Sequence, residues 1–142
     1  MAKLLTKAIR AAELTRARGA VIIPHDGADV VVPVYTTPPL RPAYPYCIAA
    51  QTTGVPWDTL NGPGQRVTST WTVFTDRVDD DDAEQLAIMD CLKQLLTGTP
   101  FELSAAGIWI SPATCELDET FPGIREGIRQ GVLRFAYEAN EE

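Results

Sequence analysis

The stretch "GVLRFAYEAN" alternates without a break, with Leu133, Phe135 and Tyr137 on one side and Arg134 and Glu138 on the other. In extended backbone successive side chains point to opposite faces, so this pattern describes a strand with one buried and one wet face. A strand of that kind belongs to an antiparallel sheet and cannot stand alone. Its apolar row needs neighbouring strands beside it and a second layer above it. This requirement organises the reading of the remaining residues.

Several segments can supply the neighbours. "VTSTWTVFTD" carries Val67, Trp71, Val73, Phe74 and a set of threonines that suit a pleated surface buried on at least one face. "YPYCIAAQ" and "GIWIS" are shorter strand candidates. The runs "AVIIP" and "DVVVPVY" are joined by "HDGA", whose Asp26-Gly27 is a hairpin-turn pair. After them "TTPPLRPAYP" excludes a helix and a central strand, and reads as an extended connector. Residues 52–66, rich in Gly and Pro around Trp57, read as a long loop at the end of an extended hairpin. "PATCELDETFPGIREG" reads as turns.

Two segments have helical periodicity and can form the covering layer. Over residues 2–18, Leu5, Ala8, Ile9 and Ala12 share one stripe, and Gly19 is placed to end the helix. From Ala83 to Leu96, Ile88, Cys91, Leu92, Leu95 and Leu96 share an arc with Met89 at its margin, before Gly98 and Pro100. The expectation is a single α+β domain over residues 1–142, a mainly antiparallel β-sheet with one or two helices packed on it.

The formal net charge of −7 argues against nucleic-acid affinity, which needs a surplus of Lys and Arg. The three cysteines, Cys47, Cys91 and Cys115, are widely spaced in apolar stretches and read as reduced thiols of a cytosolic chain. No signal-peptide pattern opens the sequence, and no apolar run is long enough for a membrane span.

Chemistry-bearing residues are sparse. The run Asp79-Asp80-Asp81-Asp82 fails as a calcium loop, because Glu84 stands where the sharp-turn glycine belongs. Carboxylates at a helix start instead meet the positive end of its dipole and cap free N–H groups. Four together exceed what capping needs, which leaves room for a subunit contact. His25 beside Asp26-Gly27 reads as an exposed turn histidine without a nucleophile motif. A metal site from His25 and the cysteines would need four distant segments to converge. "NGPGQR" lacks the lysine of a phosphate loop. Trp57 is either folded back onto the domain or held for a partner. The expectation is no catalytic residue, no metal and no cofactor.

Three segments carry a resemblance: "YPYCIAAQTTG", "RVTSTWTVFTDRVDDDDAEQLAIMDCLKQLL" and "ELDETFPGIREGIRQGVLRFAYEANEE". With the N-terminal helix, their order resembles the tail terminators and tail-completion (tail-to-head joining) proteins of long-tailed bacteriophages, of which the lambda tail terminator is one. The resemblance implies a non-enzymatic virion protein at the head-proximal end of the tail, assembled in the host cytoplasm. It implies a hexameric ring that stops polymerisation of the tail tube protein and meets the head connector or neck protein. DNA passes the lumen without specific binding, and no membrane is involved. Contacts are expected from Trp57 with Asp58 and Arg66, and from Asp79, Asp80 and Asp81. Arg125 and Arg129 would receive a neighbour's aspartates. A joining adapter without the stop function, a small metal-dependent enzyme and a ligand-binding domain are the alternatives.

Overall fold

The computed structural model describes residues 5–25, 27–41, 43–59, 62–76, 83–121 and 128–141. Helix α1 (Leu5–Ala17) precedes a hairpin, β1 (Ile22–His25) and β2 (Ala28–Val31), and the short strand β3 (Val34–Tyr35). Two long strands follow, β4 (Tyr46–Thr59) and β5 (Gly62–Thr75), then helix α2 (Ala83–Thr97) and the 3-10 turn Ser104–Ala106. The chain closes with β6 (Ile108–Ile110), β7 (Thr114–Phe121) and β8 (Arg129–Glu141). The main sheet has the order β3-β4-β5-β8-β6, with β7 also on β8, so β6 and β7 share one flank of that strand. Its pairings are antiparallel except β3 with β4. The α+β class and the mainly antiparallel sheet are as the sequence implied.

The alternating segment is β8, and its register with β5 runs from Gly64↔Asn140 to Thr75↔Arg129. Cross-strand partners share a face. Val67, Trp71 and Val73 therefore join Leu133, Phe135 and Tyr137 on the inner face, all buried. Helix α2 lays Ile88, Met89, Leu92 and Leu96 over that face. Met89 is fully part of the core rather than marginal. At Gly131 a Cβ would meet the Met89 sulfur at 2.5 Å, so glycine is what lets α2 approach β8. Helix α1 buries Leu5, Ile9, Glu13 and Ala17, each one turn from the last. Gly19 follows α1 with φ of 79°, the left-handed conformation that ends helices.

Two segments read as irregular are strands. The stretch 52–66 is not a long loop: β4 and β5 pair through it to Thr59↔Gly62. Pro56 is tolerated because β3 leaves β4 after Ile48, which makes the rest of β4 an edge among the described residues. Pro63 lies one residue beyond the last partner of β8. The acidic part of "PATCELDETFPGIREG" is β7, an edge strand bulged between Cys115 and Leu117. Its Glu116, Asp118 and Glu119 hide strand character behind charges that edges tolerate. Arg129 opens β8 opposite Thr75.

Leu92 is fully buried between α2 and the sheet. Leu92→Ala should lower stability by about 2–5 kcal/mol, read as a lower urea midpoint with an unchanged slope.

Candidate functional site

The sheet face away from the helices is built from cross-strand rows. Gln51, Thr70 and Arg134 form one, Thr53, Thr68 and Ala136 the next, and Val55, Arg66 and Glu138 a third. Threonine suits this position, since its branched carbon fits the pleat and its hydroxyl can face water. One end of the face is aromatic. Tyr46 stacks on Phe74 with ring centroids 5.1 Å apart, and Tyr44 and Tyr35 lie 5.4 and 6.0 Å from Tyr46. At the opposite end the register aligns Trp57 with Gly64, Gly64 with Asn140, and Asn140 with Trp109. Trp109 is half exposed, and Val55 two residues from Trp57 is 56% exposed.

The contact residues expected from sequence do not form one cluster. Trp57 and Asp58 lie in the last residues of β4, and Arg66 lies on β5 nearby. The Arg66 guanidinium is engaged within the chain, in an ion pair with Glu116 across β8. Arg129 pairs with Thr75, at the far end of the same two strands from Arg66. Nine residues of strand at ~3.3 Å each separate those ends by roughly 30 Å. Asp79, Asp80, Asp81 and Arg125 lie outside the described residues.

His25 departs from the sequence reading. It is half-buried at the end of β1, and its Nδ1 lies 3.0 Å from both carboxylate oxygens of Glu84 in the first turn of α2. The pair fastens the β1–β2 hairpin to that helix. Cys47, Cys91 and Cys115 carry free thiols. Burial, aided by the neighbouring Cys91, pushes the Cys47 thiol up to about 12, so it is an inert core group. Among the described residues no three His, Cys, Asp or Glu side chains come together as a metal-binding group.

The polar feature most easily missed is Glu13, only 1% exposed on the sheet side of α1. Its Oε2 accepts hydrogen bonds from Ser69 Oγ at 2.5 Å and from the Tyr137 hydroxyl at 2.7 Å. The Trp71 indole N–H lies close without closing a bond of good geometry. Burial pushes the Glu13 carboxyl above its ordinary value of 4.5, and the hydrogen bonds and Arg10 pull it back only part-way. Burial, then the Glu13 charge, also pushes the Tyr137 phenol far up, so it remains a donor. The sequence held a signal: Glu13 sits four residues after Ile9 and eight after Leu5, on the buried stripe itself.

Among the described residues no nucleophile–base pair lines an enclosed cleft. The exposed apolar side chains include Val55 and Trp109 on the main sheet and Leu86 on α2. No family model matches the chain, and no curated protein matches it. A solved structure does. Over 95% of this chain and 93% of the other, the fold matches a chain in the structure titled "Virion of native gene transfer agent (GTA) particle", with TM-score 0.65 and 15% identity. At that identity the likeness establishes the fold alone.

The raised Glu13 carboxyl has a consequence for stability. An acid that holds its proton more tightly folded than unfolded contributes stability that is full below the ordinary value of 4.5 and is lost as pH rises through the folded value. Urea midpoints measured between pH 4 and 8 should therefore fall more steeply for wild type than for Glu13→Gln, which keeps an acceptor without the charge. Tyr137→Phe should cost about 1–3 kcal/mol by withdrawing a donor from a buried carboxylate.

Proposed function

We propose that this chain is a structural virion protein, a single tail-terminator-like domain without enzymatic activity. It assembles as a hexameric ring on the head-proximal end of a phage-type tail tube, stops addition of the tube protein, and presents a surface to the head connector. The observation that carries this reading is the end-to-end fold match with a virion chain. The order of sequence segments described above supports the tail position.

The chemistry is consistent with that role. A ring needs heterologous contacts, in which two different surfaces of one subunit meet. The long β4–β5 hairpin and the edge strand β7 present such surfaces at opposite sides of the sheet. The net charge of −7 suits a lumen that DNA crosses without being retained. The contacts proposed for the ring include Trp57 and Asp58 at the hairpin end, and the segments containing Asp79–Asp81 and Arg125.

Negative-stain electron microscopy of a lysate lacking this gene tests the proposal. Headless tails of irregular, excessive length are the expected result. Tails of normal length detached from filled heads would make the chain a joining adapter. Intact infectious particles would overturn both and leave a ligand-binding or metal-dependent role to be sought.

A further inference from the structure

We infer that subunits join by continuing one another's main sheet, the open edge of β4 pairing antiparallel with the open edge of β7 from a second copy. This inference deepens the ring reading above and names the seam on which it rests.

Three observations carry it. The first is an unguarded edge. Beyond Ile48, β4 has β5 as its one neighbouring strand among the described residues, so its outer edge has no strand partner there from Gln51 onward. Sheet edges are ordinarily protected from further pairing by lysines, inward charges or brevity. The open run from Gln51 to Val55 has no charged residue, and Val55 is exposed. Pro56 marks where that run stops offering donors.

The second is strand direction. Each of β7, β8, β5 and β4 is antiparallel to the next. A second copy placed so that the sheet continues presents its β7 antiparallel to β4, the favoured geometry for a strand added at an edge. Because β4 and β7 are different strands, the contact is head-to-tail and leaves each copy with one edge still open. Such a contact closes into a ring when the rotation permits.

The third is charge. The β4 edge is flanked by the basic first turns of α1. Arg10 donates to Thr52 Oγ1 at 3.1 Å and to Ala49 O at 2.7 Å, and the exposed Lys7 lies one residue from Thr6, which packs against Gly54. The single acid within α1 is the buried Glu13. The β7 edge carries Asp118 and Glu119, both exposed, beside Asp90 of α2. Lys93 lies 3.9 Å from Asp118 and offsets one of these charges. The two edges are therefore complementary, while two β4 edges would set Lys7 and Arg10 against their own copies.

The test combines light scattering with isotope-mixed coupling on the full chain. Wild type should be oligomeric. The double variant Thr53→Lys with Val55→Lys should be monomeric with its urea midpoint within experimental error of wild type. Leu40→Lys, on the fully exposed connector, should keep the wild-type size. Carbodiimide coupling of mixed ¹⁵N and unlabelled wild type should join Lys7 of one copy to Asp118 or Glu119 of another. A wild type that stays monomeric at every concentration, an edge variant of unchanged size, or inter-copy links confined to β4 with β4 would overturn the seam. Its failure is separable from that of the tail role. A confirmed seam with normal tails in the gene-disrupted lysate would remove only the tail role, and irregular tails with an inert edge variant would remove only the seam.

Discussion

The register of β8 against its neighbours is the constraint on which the rest of the molecule depends. This strand is paired on one side to β5 and on the other to β6 and β7, so three strands take their height from it. Side chains alternate with period two, and a slip of one residue would turn Leu133, Phe135 and Tyr137 to water and Arg134 to the core. Gly131 fixes the approach of α2, and Tyr137 fixes α1 through Glu13. Both helices are thus indexed to a single strand rather than to each other.

The two helices do meet, through Arg16. Its guanidinium donates to Leu95 O at 3.3 Å, a carbonyl in the last turn of α2, and also to Thr99 O just beyond the helix. The same group lies 4.1 Å over the Phe101 ring. One cation thereby positions α1, the end of α2 and the chain leading to β6. Together with the Arg10 bonds to β4, this gives α1 polar tethers to three separate parts of the fold, where its short buried stripe alone would leave it weakly held.

The fold was legible where periodicity was strong. β8, β5, the two helices and the β1–β2 hairpin followed from alternation, helical spacing and turn chemistry. It was not legible where composition masked conformation. β7 was obscured because Glu116, Asp118 and Glu119 belong on an exposed edge yet resemble a turn. The extension of β4 and β5 through Pro56 and Pro63 depended on which neighbours stop where, a tertiary fact no local pattern encodes. The candidate contacts were less legible than the fold. Arg66 looked free for a partner, but Glu116 reaches it from fifty residues away in sequence. The exposed edge of β4 became visible only once β3 was seen to end beside Ile48.

The bond from Tyr137 to Glu13 joins residues 124 positions apart. A ribosome releases α1 well before β8, so in the interval the helix has no phenol to meet and Ser69 arrives well before Tyr137. Until β8 emerges, the Glu13 carboxyl stays hydrated and ionised, and Leu5 and Ile9 lack the floor they pack upon. Folding of this domain therefore waits on β8: a nascent subunit cannot seat α1 and offer a finished β4 edge until the strand that indexes the whole sheet has left the exit tunnel.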